Sequence, residues 1–188
     1  MTIIQFGPYP LDASCIRGGV ESSVYGAAQA LAVHHEVHVY DVPRIGQQDT
    51  KDTVGHIHIH RYQNHGKYNK DAVSRIDDIL HDMLTIGPDV VHVHGTGAIS
   101  AKIYDALKRQ GIKVLLTIHG LLHVEKHNQL RKKFTMKHLY QYICQSRAEF
   151  KAIENTNVAI VDTEYVANQL RQLLAQRKVK SLPIMHVV

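Results

Sequence analysis

Short apolar runs alternate with amphipathic segments along the whole chain. The runs "TIIQFG" (2–7), "EVHVYDV" (36–42), "HIHIHRY" (56–62), "PDVVHVHG" (88–95), "KVLLTIHG" (113–120), "NVAIVDT" (157–163) and "IMHVV" (184–188) have the length and β-branched content of strands. Between them, apolar residues recur at helical spacing. Val20, Val24, Ala27 and Leu31 form one such face, and Ala72, Val73, Ile76, Ile79, Leu80, Met83 and Leu84 form a second. Ile99, Ile103, Ala106 and Leu107 form a third, and Val166, Leu170, Leu173 and Leu174 a fourth. A longer basic segment, about 124–153, reads as mostly helical.

Strands alternating with helices, and strands that are almost continuously apolar, predict a parallel sheet covered on both faces. The expected fold is α/β: a Rossmann-like, doubly wound parallel sheet of about seven strands, forming one domain over 1–188. Ligands of such sheets bind beyond the carboxyl ends of the strands. The positions to question are therefore Gly7 to Gly19, His94 and Gly95, His119 and Gly120, and Thr163 and Glu164. The last run, "IMHVV", is an apolar strand with no polar tail, so the sequence reads as ending at a domain boundary.

Composition narrows this little. The 188 residues are 44% hydrophobic and 21% charged, ordinary for a globular protein. No run approaches the ~20 apolar residues of a membrane span, and no signal peptide is evident. Cys15 and Cys144 are far apart and read as free thiols in a reducing compartment, so the expected location is the cytoplasm. The net charge of +5 is uneven: residues 122–154 hold seven Lys or Arg against three Asp or Glu. Such a patch suits nucleic acid, an anionic substrate or an acidic membrane. No aromatic stacking motif accompanies it, so nucleic acid is not expected. Leu130, Phe134, Leu139 and Ile143 recur among Arg131, Lys132, Lys133 and Lys137. That pattern is either a solvated helix face or a peripheral contact, through residues 130–143, with the inner face of the membrane.

Candidate chemistry lies at the predicted strand ends. The connection from Gly7 to Gly18 is long, and no G-x-G-x-x-G or G-K-[ST] loop follows any strand. What remains is "GPYPLDASCIR" feeding the helix start at Gly18 and Gly19. Glycine in regular structure costs about 0.5–1 kcal/mol against alanine. A pair there suits either a phosphate lying against the helix N-terminus or an ordinary flexible loop. His94 and His119 each end a strand and each precede a glycine. A neutral histidine there can orient a hydroxyl and a protonated one can offset phosphate charge; either can also be structural.

Among 15 histidines, His56, His58 and His60 share one strand face, but together they span about 13 Å, too far for one ion. No metal is expected; the segment reads as a half-exposed edge strand. Asp77, Asp78 and Asp82 read as a solvated helix face. Cys15 has no evident base and is not expected to be a nucleophile.

Four motifs in order resemble the N-terminal domain of retaining glycosyltransferases of family 4, which have the GT-B fold. "IRGGVESSVYGAAQALA" resembles the family's Gly-Gly-x-Glu loop and first helix. "PDVVHVHG" and "KVLLTIHGL" resemble two of its histidine-ending strands. "AEFKAIENTNVAIVDTEYVANQL" keeps the family's glutamate at Glu149, with Asn157 in place of aspartate and Thr163 in place of serine.

The resemblance implies a nucleotide-sugar donor, a sugar, polysaccharide or lipid-linked acceptor, and no cofactor or metal. Gly18 and Gly19 would meet the donor diphosphate. His119 would be catalytic, at the transferred sugar. His94, Gly95, Glu21, Thr163 and Glu164 would be acceptor- or substrate-side residues. It also implies a second, donor-binding domain outside this chain, without which transfer activity is not expected. Two rivals remain open: a stand-alone nucleotide-binding Rossmann domain such as an oxidoreductase, and a non-enzymatic anion-binding module.

Overall fold

The computed structural model describes residues 1–41, 49–62, 76–96, 98–177 and 184–187. Ala72, Val73, Val42 and Val188, which the periodicity assigns to a helix and two strands, lie outside the described residues. The chain divides into two compact units, Met1–His94 and Gly95–Val188. Among the described residues the fold is α/β, with eight mostly parallel strands and six α-helices.

The first unit holds β1 (Thr2–Phe6), a 3-10 turn (Ala13–Cys15), α1 (Gly19–Ala32), β2 (Glu36–Asp41), β3 (Thr50–Val54), β4 (Ile57–Arg61), α2 (Ile76–Ile86) and β5 (Val90–His94). Its strands run in the order β3-β4-β2-β1-β5. All pair in parallel except β3, which is antiparallel to β4. Period-two alternation sorts the side chains. Val37, Val39, Ile57 and Ile59 join Tyr9, Val24 and Ala28 in one core beneath α1. On the other face, His38, His58, His60 and Tyr40 stack on one another.

Two expectations are corrected here. The segment "HIHIHRY" is not an edge strand: β4 lies between β2 and β3, and His60 is buried. The edge is β3, an eighth strand absent from the sequence reading. All five of its residues are exposed, so it carries no apolar signal. It is joined to β4 through Gly55 at φ +62°, the left-handed conformation that a two-residue hairpin needs. Nor is Asp82 merely solvated. It accepts hydrogen bonds from Tyr62 Oη (2.6 Å), Tyr40 Oη (3.0 Å) and Lys51 Nζ (2.9 Å). Burial works to raise its pKa, but these donors outweigh it and hold the carboxyl down at about 2.

The second unit holds α3 (Ala98–Arg109), β6 (Lys113–Ile118), α4 (Leu122–Lys132), α5 (Met136–Asn155), β7 (Val158–Val161), α6 (Glu164–Arg177) and β8 (Ile184–Val187). β7 pairs in parallel with both β6 and β8. Ile103, Leu107, Val114, Leu116, Phe150, Ile153, Ala159 and Leu170 are buried and make its core. The basic segment forms two helices, α4 and α5. Thr135 ends the break by capping α5, its Oγ1 accepting from the His138 N–H at 3.1 Å.

Candidate functional site

In the first unit the carboxyl end of β1 leads into the long loop. Gly7 permits a close approach: a Cβ there would stand 3.0 Å from Val24 Cγ2 and 3.1 Å from His94 Cβ. The loop is anchored rather than slack. Tyr9 is buried, and Arg61 Nη2 donates to the Pro10 carbonyl at 2.9 Å while Arg61 Nη1 donates to Asp52. Asp12 then caps the 3-10 turn, accepting from the Ser14 N–H at 2.8 Å. Sequence reasoning passed over Arg61, because nothing in "HIHIHRY" signals a partner about fifty residues upstream.

Gly18 and Gly19 follow. Gly18 is extended (φ −175°), and neither glycine has a positive φ. A Cβ at either would meet nothing within 4 Å. Neither conformation nor packing requires glycine at these two positions. Glu21, third in α1, is buried and its carboxylate accepts from the Arg17 N–H, a capping contact that holds the loop against the helix start. His94 is buried as well, 6% exposed; its Nε2–H donates to Gln5 Oε1 at 2.7 Å and its ring lies against His92.

In the second unit Gly95 takes φ +98°, which favours glycine, and donates its N–H to the Thr117 carbonyl at 3.0 Å. His119 stands just past the carboxyl end of β6, its side chain 17% exposed, with Nδ1 3.2 Å from Asp162 Oδ2. Asp162 occupies the matching place just past β7. In the neutral ring this carboxylate favours the tautomer with the proton on Nδ1, making Nε2 the acceptor nitrogen. Asp162 escaped the sequence reading because only the register of β6 and β7 brings it to His119.

Gly120 leads from His119 into α4, whose start is capped from a distance. Glu149, fully buried in α5, accepts from the Leu122 and His123 N–H groups (both 2.8 Å) and from Thr96 Oγ1 (2.9 Å). Burial pushes its carboxyl up, partly opposed by these donors. The glutamate singled out by resemblance thus fixes the segment that follows His119. The two departures from the family pattern each make a backbone hydrogen bond. Asn157 Oδ1 accepts from the Val114 N–H at 2.8 Å, a task that needs only an oxygen. Thr163 Oγ1 caps α6 by accepting from the Val166 N–H at 3.2 Å. Glu164, exposed in the first turn of α6, pairs with Arg171 at 3.3 Å.

Each unit therefore brings part of the predicted set to its own strand ends: Gly18, Gly19, Glu21 and His94 in one, Gly95, His119, Thr163 and Glu164 in the other. Among the described residues, the group able to hold a metal ion is elsewhere, at Glu36, His38 and His58.

The comparisons with known proteins bear on the family and the fold. Glycosyltransferase Family 4 matches residues 17–183. Matched against curated proteins by sequence, the chain finds none. Among solved structures it resembles Phytolacca americana UGT2 without ligand (10% identity, TM-score 0.62, all of this chain and 51% of that one). It likewise resembles Medicago truncatula UGT71G1 complexed with UDP-glucose (13%, 0.60, 100% and 51%). A third is the α,α-trehalose 6-phosphate synthase of Burkholderia multivorans (9%, 0.62, 98% and 47%). The chain spans about half the length of these structures. At such identities they establish the fold, that of one half of a GT-B enzyme. With the family match running through both units, the chain belongs to glycosyltransferase family 4.

Proposed function

We propose that the chain is the N-terminal, acceptor-side half of a retaining glycosyltransferase. The whole enzyme would move a hexose-type sugar from a nucleotide-sugar donor to a glycan or lipid-linked acceptor. The observation that carries this is His119: a strand-end histidine in a family 4 sequence, with a carboxylate holding one ring nitrogen. That contact fixes the ring, so its other nitrogen can engage a hydroxyl of the transferred sugar. Gly18 and Gly19 open the start of α1, where N–H groups and the positive end of the helix dipole stabilise charge on the departing diphosphate. Glu21, Glu149 and Arg61 act as positioning residues through the hydrogen bonds described above. His94, Gly95, Thr163 and Glu164 belong to the substrate side. The step needs no metal in this reading, since the leaving charge is met by backbone dipoles and by cations of the donor-binding half.

The test is sugar transfer by the whole protein. With His119→Ala, kcat should fall about 100-fold or more at a nearly unchanged KM, in a variant that keeps its fold. Normal kcat in the folded variant removes His119 from the chemistry.

The same reading gives the corner of α4 and α5 a role at an acidic membrane surface in the cytoplasm. Phe134, Met136 and Tyr140 are 69%, 73% and 69% exposed, beside exposed Arg131, Lys132, Lys133 and Lys137. Among the described residues no helix is long and apolar enough to cross a membrane, so such contact would be peripheral. Each basic residue near anionic lipid is worth about 1 kcal/mol, reduced by salt. Co-sedimentation with acidic vesicles at low salt should be lost when positions 131, 132, 133 and 137 are Gln. Equal sedimentation of the two proteins refutes the contact.

A further inference from the structure

At the amino ends of β2 and β4, away from the strand ends discussed above, three potential ligands converge. Glu36 Oε1 lies 3.2 Å from His38 Nε2 and 3.8 Å from His58 Nε2. One ligand atom from each residue falls within 4.8 Å of the others. Two donors bound to one tetrahedral zinc at about 2.0–2.1 Å stand roughly 3.3 Å apart, so the Glu36–His38 spacing suits one ion and His58 would have to close by about 0.5 Å. The two imidazoles are stacked, with centroids 4.6 Å apart and planes 22° from parallel. His58 is half-exposed, so its ring has room to tilt inward.

The atoms pointing away from this convergence are each held. His38 Nδ1 is 3.0 Å from His60 Nε2, and His58 Nδ1 is 3.2 Å from Thr53 Oγ1. Thr2 Oγ1 donates to Glu36 Oε2 at 3.4 Å. Metal-ligating histidines commonly have their second nitrogen engaged in this way, which fixes both ring and tautomer.

A depression of about 460 Å³, lined among others by Val33, His34, His35 and His56, gives solvent access to Glu36 and His58.

We propose that Glu36, His38 and His58 bind a divalent transition metal of the zinc type, with water or a neighbouring imidazole completing the shell. The ion would clip β2 to β4 and play no part in sugar transfer. The periodicity of "HIHIH" hid this site, because its ligands come from two strands and only one belongs to that run.

The experiment uses the full chain, stripped with a chelator and titrated with Co²⁺ as a spectroscopic probe and then with Zn²⁺. One Co²⁺ per chain should bind with the intense ligand-field bands of a tetrahedral site, and Zn²⁺ should displace it. Glu36→Gln and His58→Gln should each weaken binding at least tenfold, and Thr53→Val about tenfold by releasing the His58 ring. His127→Gln, in the other unit, should change nothing. Circular dichroism checks that the variants fold. Absence of a one-to-one tetrahedral site in the unaltered chain, which needs no variant at all, overturns the proposal. So do unchanged bands in folded His58→Gln.

Discussion

In the unit Met1–His94, the histidines of β2 and β4 take one another as partners. His38 reaches His60, His38 and His58 stack, and Tyr40 covers His60. In the unit Gly95–Val188, His119 stands past the end of its strand with a carboxylate as its partner. The residue type is the same, and so is the alternation with β-branched neighbours that makes each visible in the sequence. The environments differ. Burial pushes His60 down to about 4, so at neutral pH it is an uncharged part of a packed face. His119 is set at the strand edge where ligands of this fold bind. Position along the strand, more than histidine itself, separates a structural imidazole from a candidate for chemistry.

The widest separation should appear between His119→Ala and His60→Gln in the whole protein. The first should abolish most turnover and leave Tm unchanged. The second should leave kcat within twofold and lower stability by about 1–3 kcal/mol, since it disturbs a buried polar network. At roughly 2–4 °C per kcal/mol for a domain of this size, calorimetry resolves that loss. If both variants lose turnover equally with intact folds, the distinction between the two regions is wrong.

A smaller effect is expected at Gly19. Nothing in the chain crowds a Cβ there, so Gly19→Val should fold normally and raise donor KM about tenfold by obstructing the diphosphate. Unchanged donor KM would return these glycines to the status of an ordinary loop. Smaller again, or comparable, is Asp162→Asn. It removes the charge that favours the Nδ1 proton on His119 and should lower kcat by about tenfold at constant KM. A change confined to KM would mean that Asp162 acts on binding and not through the ring.

Much of this architecture could be read before any coordinates. The apolar runs located seven of the eight strands, and His119 stood out as a candidate because it ends a strand before a glycine. β3 was not, since "TKDTV" buries nothing and only the Gly55 turn marks it. Asp82 was misread for a related reason. Its neighbours on α2 say nothing of Tyr40, Tyr62 or Lys51, which reach it from other elements. The same holds for Glu149, whose partners lie 26 to 53 residues away. Periodicity reports which face a residue occupies; partners brought together by strand register or by packing have no local signature. The split of the basic segment was legible in principle, from the capping residue Thr135 after a run of charge.

The central claim is that Gly18 and Gly19 meet the diphosphate of a nucleotide sugar and that His119 meets a sugar. Its most direct test is a heteronuclear NMR titration of this chain with a panel of nucleotide sugars and the corresponding nucleoside diphosphates. With one matching nucleotide, the amides of Gly18 and Gly19 should shift for both the diphosphate and the sugar form. His119 ring resonances should shift only for the sugar form, and the resonances of His38, His58 and His60 should stay in place. Saturation is expected only at high ligand concentration, because in the proposed function most donor contacts come from a donor-binding half. Shifts confined to the β2–β4 histidines, or none at Gly18, Gly19 and His119 with any member of the panel, would contradict the account.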